Sequence, residues 1–438
     1  MKTHSHLLLT LTAGALLAGG AARAQIVDSP DGKVAGIPVN YTEAKTGAYT
    51  LPDPLRLADG RKVTDARTWF AERRPEILKM IEENEYGRCP PPPPDISFDV
   101  FDRGTPAFDG KALRRQVTIY FTKDRAGPKM DLLLYLPANA TRPVPVLLNA
   151  GFTANNLSVD DPGVKVGEVW NAAQQKRVPA TGGRRFGTLN VPAIVGRGFG
   201  VATVNYADID PDALGAVAFG VRAAYLKPGR TEPAADEWGS IAAWGWGLSR
   251  AVDYFETDPG VDAKRIALLG VSRLGKTVLW EGARDTRIAL VIASCSGEGG
   301  AALSRRNYGE TVAHLVEKTR YPYQFAANYA TWANRANEAP FDAHLIIALM
   351  APRPLLLQTG STDDWSDPYG EFLAAKAATP VYELLGAKGI PAATKQPPPG
   401  QPLMSTLGFL MHDGGHGTLP ADLKVFLDFM QAHLQPGA

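Results

Sequence analysis

Cysteine is scarce in this sequence: only Cys89 and Cys295 occur among 438 residues. So few cysteines exclude a disulfide framework, and the sequence leaves open whether the two pair with each other. The chain also lacks an excess of charge, with 46 Lys and Arg against 45 Asp and Glu. This balance argues against nucleic acid or an anionic membrane as a partner and favours a small molecule or a neutral polymer.

Long apolar runs are missing as well. The run at residues 7–17 is shorter than the roughly 20 apolar residues of a membrane helix, and no later stretch approaches that length. Lys2 precedes this run and Ala22-Arg23-Ala24 follows it, which is the pattern of a secretory signal peptide cleaved before Gln25. We therefore predict a signal peptide at residues 1–24 and a soluble mature protein that is secreted or periplasmic.

The mature sequence predicts an N-terminal arm, residues 25–94, that packs on a main domain, residues 95–438. The arm ends in a proline run at residues 90–94, which must be extended. Residues 65–83 read as a helix with Asp65 or Thr64 as N-cap, Gly87 beyond its end and Pro75 as a break or kink. Its apolar face is predicted to comprise Trp69, Phe70, Ile77, Leu78 and Ile81.

Short apolar segments alternate with helical ones in the main domain. Strands are predicted at residues 96–100, 113–121, 132–136, 144–150, 201–206, 265–269, 288–294 and 355–359, and helices at residues 240–255, 274–284 and 370–378. This order predicts an α/β fold: a mostly parallel central sheet flanked by helices, in three αβα layers, entered by an antiparallel edge. Residues 155–190 have no clear period and are predicted to form a long insertion over one end of the sheet.

The sharpest local signal is a buried strand that turns through Gly270 directly into a helix, with Ser272 at the turn. Such a turn lifts a serine hydroxyl above the carboxyl edge of the sheet, as in the nucleophile elbow of the α/β-hydrolase fold. The usual elbow has glycine two residues after the serine, whereas this chain has Leu274 there and Gly275 one residue later. An ordinary turn with Ser272 as helix N-cap is the structural alternative.

A serine at neutral pH needs a base that accepts its proton. His416 follows a short apolar strand and lies in a glycine-rich loop, which is how this fold presents its base, so we select it. His412 and His416 could instead form half of a metal site, but no Cys or Glu completes one at suitable spacing. Of the other histidines of the mature chain, His314 and His433 are expected in helical surroundings, and His344 at a helix N-terminus or in the core.

The acid of such a triad lies between the serine and the histidine in the chain. Asp363 comes three residues after Gly360, in the loop beyond a predicted strand, and is selected; Asp364 and Glu298 are the competing carboxylates. A role in turn formation is the alternative for the two aspartates. The backbone amide of Arg273 at the helix N-terminus would serve as an oxyanion donor.

These residues resemble the glucuronoyl esterases of carbohydrate esterase family 15 over roughly the whole region after the proline run. Residues 270–276 match the signature Gly-Cys-Ser-Arg-x-Gly-Lys of that family with Val271 in place of Cys, and the signature does not require glycine at Leu274. Two further segments match: residues 296–300, Ser-Gly-Glu-Gly-Gly, with Arg305, Arg306 and Glu310 after them, and Asp363-Asp364-Trp365 with the Gly-Gly-His loop at 414–416.

The resemblance implies hydrolysis of 4-O-methyl-glucuronoyl esters, which link glucuronoxylan to lignin, through an acyl-enzyme and without a metal or organic cofactor. It also implies that the Arg273 guanidinium stabilises the oxyanion and that Lys276, Glu310 and Trp365 hold the uronic acid. The residue pattern agrees for Lys276, which lies one helical turn after Ser272 on the same face. A solvated surface lysine and a packing tryptophan are the alternatives.

One position departs from the family. Many members have a Glu as triad acid directly before the Ser-Gly-x-Gly-Gly stretch, whereas this chain has Cys295, and a thiol cannot replace a carboxylate. The acid must then come from elsewhere, and Asp363 is the expected source. Two other functions stay open: another esterase of the same fold, such as an acetyl-xylan esterase, and a catalytically weak carbohydrate-binding protein. We expect a monomer.

Overall fold

The computed structural model of the protein describes residues 30–182 and 188–434. The predicted signal peptide, residues 1–24, lies outside the described residues. Within the two described ranges, no helix is long and apolar enough to cross a membrane.

The described ranges contain strands and helices with the following bounds. The strands are Lys33–Val34 (β1), Ile37–Pro38 (β2), Ser97–Ala107 (β3), Ala112–Tyr120 (β4), Lys129–Pro137 (β5), Val144–Gly151 (β6), Glu168–Asn171 (β7), Lys176–Pro179 (β8), Gly200–Asn205 (β9), Val261–Val271 (β10), Ile288–Ser294 (β11), Leu355–Gly360 (β12) and Leu407–His412 (β13). The α-helices are Ala66–Thr68 (α1), Arg74–Ile81 (α2), Asn155–Ser158 (α3), Val191–Val195 (α4), Tyr206–Ile209 (α5), Ser240–Phe255 (α6), Arg273–Arg284 (α7), Val312–Val316 (α8), Ala343–Met350 (α9), Pro368–Leu384 (α10) and Asp422–Leu434 (α11).

Nine of the strands form one sheet in the order β13-β12-β11-β10-β6-β9-β5-β4-β3. The six strands from β13 to β9 in this order are all parallel to one another. Strands β5, β4 and β3 add to them as an antiparallel edge. The predicted mostly parallel sheet with an antiparallel edge is confirmed, and the architecture is that of the α/β-hydrolase fold.

Helices cover both faces of the sheet because its central strands are apolar on both sides. In β10, Ile266 and Leu268 pack into the core that contains α6, α7, α9 and α10. Ala267 and Leu269 of the same strand pack into the second core, with α4 and α11. Successive residues of a strand point to opposite faces, so each central strand contributes to both cores. The three αβα layers follow from this alternation.

Residues 66–86, before the proline run, are helical over four consecutive segments. These are α1, a wider π-type turn at Trp69–Arg73, α2 and a second π-type turn at Glu82–Tyr86. Asp65 caps the first segment, since its carboxylate accepts a hydrogen bond from the Thr68 amide at 2.9 Å. Pro75 is the second residue of α2, where a missing amide hydrogen is tolerated, and the helical path continues across it. The helix therefore does not break at Pro75, although its turns change from π-type to α-helical directly before it; a kink there stays a prediction.

The buried face of this helical region joins the main core. Trp69, Ile77 and Ile81 are fully buried in the same cluster as the sheet, and Leu78 is half-buried. Phe70 is 48% exposed, so its predicted place on the buried face was wrong. The division into an arm and a main domain stays a prediction.

The described part of the predicted insertion contains α3 and an antiparallel hairpin of β7 and β8. The hairpin residues are exposed or half-buried on both faces, so no apolar alternation marks these strands in the sequence. Two hydrogen bonds join the hairpin to the end of β9 and to α5: Asn205 donates to the Glu168 carbonyl at 3.3 Å, and Arg177 donates to the Asp208 carbonyl at 3.0 Å.

Candidate active site

Ser272 lies between β10 and α7 in a strained backbone conformation. Its φ of 59° and ψ of −127° fall in a region that residues other than glycine rarely adopt. The Ser272 amide donates to the Ser294 carbonyl at 2.8 Å, which ties the turn to the end of β11. The turn therefore holds the serine side chain at the carboxyl edge of the sheet, as the predicted nucleophile elbow requires.

Two glycines make this turn possible, and neither lies two residues after the serine. A Cβ at Gly270 would stand 2.2 Å from the Leu274 carbonyl oxygen, and one at Gly275 would stand 2.6 Å from the Ser294 carbonyl oxygen. The Leu274 side chain is fully buried in the main core. The helix of this elbow thus approaches β11 one residue later than the usual motif predicts, which accounts for the glycine at 275.

His416 and Asp363 lie in direct contact. The Nδ1 atom of His416 is 2.8 Å from Oδ2 of Asp363, and the aspartate side chain is fully buried. Strands β12 and β13 are parallel neighbours, so their carboxyl ends deliver both loops to one edge. The loops approach closely, since a Cβ at Gly360 would stand 2.2 Å from the Gly415 carbonyl oxygen. The Ser366 hydroxyl is a second neighbour of His416 Nδ1, at 3.3 Å.

The two competing carboxylates have other partners. Asp364 accepts a hydrogen bond from the Tyr308 hydroxyl at 3.2 Å. Glu298 is buried and accepts from the Ser304 hydroxyl at 2.7 Å and the Tyr329 hydroxyl at 3.4 Å. Among these three carboxylates, the structure places Asp363 against His416.

His412 is held in place by contacts of both its ring nitrogens within the fold. Its Nδ1 is 2.7 Å from an Asp422 oxygen, and its Nε2 is 2.9 Å from the Gly415 carbonyl oxygen. Burial lowers the pKa of His412, but these two acceptors outweigh it, so the pKa is raised. Both ring nitrogens are thus occupied within the fold. His314 on α8 and His433 on α11 lie on helices as expected, and His344 is the buried second residue of α9, in agreement with the expected helix N-terminal or core position.

Arg273 has a buried acidic partner that sequence reasoning missed. Its Nη1 is 2.5 Å from Oδ2 of Asp212. Asp212 also accepts hydrogen bonds from the hydroxyls of Tyr206 and Tyr323 and from the Gln324 amide, at 2.7–2.8 Å. Burial raises the pKa of Asp212, but the Arg273 charge and these donors lower it by more than burial raises it. The pKa is therefore below its usual value, and the carboxylate stays ionised. Asp212 lies in an irregular segment, and no local pattern marks it.

Lys276, Glu310 and Trp365 all line the cavity that contains Ser272 and His416. This cavity holds about 160 Å³. The Lys276 side chain is buried; burial lowers its pKa, while the Glu310 charge acts in the opposite direction. A buried ammonium facing a cavity is unlike the solvated lysine that was the alternative.

Arg320 joins the two other residues predicted for the sugar. It donates to Glu310 at 2.8 Å, and its guanidinium lies 5.4 Å from the Trp365 ring centre. The Glu310 amide also donates to the Trp365 carbonyl at 2.9 Å. Arg320 and its neighbour Tyr321 line the same cavity. Sequence reasoning missed both because they belong to a loop without a recognisable motif.

N-terminal residues hold the loop that carries Glu310. The Gly309 amide donates to the Asn40 carbonyl at 2.9 Å. Arg306 forms a double hydrogen bond with the Glu43 carboxylate at 2.7–2.8 Å and also donates to Asp367 at 2.8 Å. The Arg306 guanidinium therefore links the N-terminal region to the start of α10.

Cys295 is buried at the end of β11, next to the candidate acid and base. The two cysteines are both free, so no disulfide joins them. The Gly417 amide approaches the Cys295 sulfur at 3.3 Å. Burial and the Asp363 charge raise the pKa of the Cys295 thiol. Cys295, Asp363 and His416 form the one group in the described ranges whose Cys, His and carboxylate atoms lie close enough together to hold a metal ion.

The chain is similar to known proteins in sequence and in fold. Residues 233–386 match the family model described as glucuronyl esterase, fungi. A glucuronoyl esterase from Solibacter usitatus is 44% identical, with a TM-score of 0.85 over 90% of this chain and 100% of its own. A promiscuous CE15 esterase from a marine bacterial metagenome is 41% identical, with a TM-score of 0.81 over 90% of this chain and 100% of its own.

A more distant relative, 4-O-methyl-glucuronoyl methylesterase 1 from Wolfiporia cocos (strain MD-104), is 28% identical over 77% of this chain and 72% of its own length. The two closer similarities span nearly the whole chain at more than 40% identity. The chain therefore belongs to carbohydrate esterase family 15, the glucuronoyl esterases, and is a carboxylic ester hydrolase.

Proposed function

We propose that this chain hydrolyses esters of 4-O-methyl-glucuronic acid, with Ser272 as nucleophile, His416 as base and Asp363 as the acid that orients the base. The observation that carries the proposal is the shared cavity: the strained serine and the His416–Asp363 pair line it together with Lys276. A cavity with both a nucleophile and buried polar groups suits a polar acyl group better than an apolar acyl group.

The acyl transfer proceeds from these positions. Ser272 attacks the C6 carbonyl of the uronate ester while His416 takes the serine proton through Nε2, because Nδ1 donates its own hydrogen to Asp363. His416 then returns the proton to the leaving alcohol, and an acyl-enzyme remains on Ser272. A water molecule, activated by the same histidine, releases the acid.

The oxyanion of each tetrahedral intermediate needs donors fixed in advance. The backbone amide of Arg273 is one, since the first amides of a helix have no partner inside it. The Arg273 guanidinium is the second, and the Asp212 carboxylate holds it in place at 2.5 Å. Asp212 is thus a positioning residue in the proposed mechanism.

Lys276, Glu310 and Trp365 bind the sugar in this proposal. An ammonium and a carboxylate can pair with ring hydroxyls, and an indole can stack on a pyranose face. Arg320 supports both Glu310 and Trp365 through its ion pair and its ring contact. These contacts distinguish a uronate from an acetyl group, which is too small to reach them.

The natural substrate in this proposal is the ester link between glucuronoxylan and lignin alcohols. In this proposal the protein cleaves it after export from the cytoplasm. The signal peptide pattern at residues 1–24 supports export. We also propose that the chain acts as a monomer.

The test compares wild type and Ser272→Ala on benzyl glucuronate and on p-nitrophenyl acetate. We expect a clear preference for the glucuronate ester, judged by kcat/KM, and no turnover of either ester by Ser272→Ala at an unchanged melting temperature. Equal kcat/KM on both esters would favour a general esterase, a possibility raised by the promiscuous relative. Activity that survives in Ser272→Ala would contradict the assignment of the nucleophile.

A further inference from the structure

Cys295 lies beside the proposed acid and base but has no part in the proposed mechanism. Its sulfur, a carboxylate oxygen of Asp363 and a ring nitrogen of His416 all lie within 4.8 Å of one another. The three residues line the cavity that contains Ser272, so an ion in the cavity would lie next to them. Thiolate, imidazole and carboxylate together are ligands that Zn²⁺ and other thiophilic cations accept.

Asp363 has an oxygen to spare for such an ion. Its Oδ2 contacts His416, whereas its Oδ1 is buried and has no hydrogen-bond partner within the described part of the chain. An unsatisfied buried carboxylate oxygen is energetically unfavourable, and a cation would relieve that cost. The aspartate side chain is fully buried and Asp363 is one of the residues that line the cavity, so this oxygen is a second feature, independent of the cysteine, that points to a ligand.

We propose that Cys295, Asp363 and His416 form an inhibitory site for a thiophilic divalent cation, represented by Zn²⁺ or Cd²⁺. On binding, the thiol releases its proton to solvent and a metal–sulfur bond forms, while neutral His416 binds through the ring nitrogen that carries no hydrogen and keeps its single hydrogen on the other nitrogen. One thiolate and one carboxylate then balance the double positive charge, as a buried site requires. Tetrahedral zinc places such ligand atoms roughly 3.3 to 3.8 Å apart, so a pair that lies as much as 4.8 Å apart needs to approach by about 1 to 1.5 Å.

The consequence for catalysis follows from the ligands. A cation bound to His416 and Asp363 occupies the groups that must accept and stabilise the proton of Ser272. With the cation bound, no base accepts the Ser272 proton, so the ester is not hydrolysed. This inference rests on the proposed function for its effect on turnover, whereas binding of the ion can be measured without any substrate.

The chain offers a matched control, since its other cysteine, Cys89, is also free and partly buried but contacts the Ala242 carbonyl, remote in sequence from the candidate site. The experiment compares wild type, Cys295→Ser and Cys89→Ser. Serine keeps a hydroxyl near the Gly417 amide but removes the soft ligand. Melting temperatures verify that all three proteins fold.

Binding is measured first, by titration with Cd²⁺ and the ultraviolet charge-transfer absorption of a cadmium–thiolate bond. We expect one equivalent to bind to wild type and to Cys89→Ser, and the absorption to be missing in Cys295→Ser. Turnover of benzyl glucuronate is then measured against Zn²⁺ concentration, with EDTA added at the end. Cys295→Ser should need at least about tenfold more Zn²⁺ for half-inhibition, because losing a ligand costs at least as much affinity as losing a supporting group.

Equal Zn²⁺ sensitivity of wild type and Cys295→Ser would overturn the inference, as would a wild type without the cadmium–thiolate absorption. Loss of the absorption in Cys89→Ser instead would place the ion at the wrong cysteine and also overturn it. If wild type fails to hydrolyse the glucuronate ester, the proposed function fails, while the cadmium titration still decides whether the site exists.

Discussion

The substitution Asp363→Asn tests the proposed acid most directly. The aspartate is fully buried and its Oδ2 lies 2.8 Å from His416 Nδ1, so the carboxylate can only accept a hydrogen at this contact. An asparagine can instead donate from its amide, which favours the histidine tautomer with its proton on Nε2. That tautomer cannot take the proton of Ser272. The expected loss in kcat is about 10⁴-fold, or about 5.4 kcal/mol in activation free energy, as for other triads whose aspartate is amidated.

The assay is kcat on benzyl glucuronate at neutral pH, with Asp364→Asn and Glu298→Gln as controls. Glu298 is a suitable control because burial raises its pKa well above the usual range, so a neutral glutamine resembles its protonated form. Both controls should lose less than about tenfold, since neither carboxylate contacts the base. A mild loss in Asp363→Asn with a severe loss in Glu298→Gln would refute the assignment. Melting temperatures distinguish a catalytic loss from unfolding.

Three further changes have defined outcomes. Lys276→Met should lower kcat/KM on the glucuronate ester by about 5- to 150-fold more than on p-nitrophenyl acetate, since sugar hydroxyls lose a donor worth about 1 to 3 kcal/mol; equal losses would contradict its sugar-binding role. Leu274→Gly restores the usual elbow glycine but empties a buried site, so chemical denaturation should show about 3 to 5 kcal/mol less stability; an unchanged midpoint would refute the packing argument. Burial, with the Asp363 charge, raises the pKa of Glu371 from 4.5 to about 8. The stability that protonated Glu371 contributes is therefore complete below about pH 4.5 and is lost as the pH rises to about 8. The melting temperature of the wild type should fall across this pH range, and Glu371→Gln should reduce that fall. An equal fall in both proteins would contradict the raised pKa.

The sheet and the elbow could be predicted because each depends on local sequence. Strand β11 and helix α6 have the predicted bounds. Their apolar residues form a pattern in the sequence that identifies a buried strand and a long buried helix. The family signature at residues 270–276 explained Leu274, and the structure supplies the reason: Gly275, not residue 274, faces the Ser294 carbonyl.

The partners of the site residues could not be predicted because they come from distant, irregular segments. Asp212 reaches Arg273 across 61 residues, and the loop that carries Arg320 has no periodicity. Phe70 was misplaced because the segment Trp69–Arg73 is wider than an α-helix, which rotates the following side chains relative to an ideal wheel. Hairpin β7–β8 escaped notice because neither of its faces is buried.

The link between Arg306 and Glu43 also constrains the order in which the molecule can fold. The two residues are 263 positions apart, so this pair closes a very long loop. During synthesis the N-terminal segment emerges first, but the groups that fix it appear only after most of the chain has been made. The last steps of maturation should therefore be the seating of this segment and the ordering of the Glu310 loop. A refolding experiment should recover secondary structure before it recovers turnover.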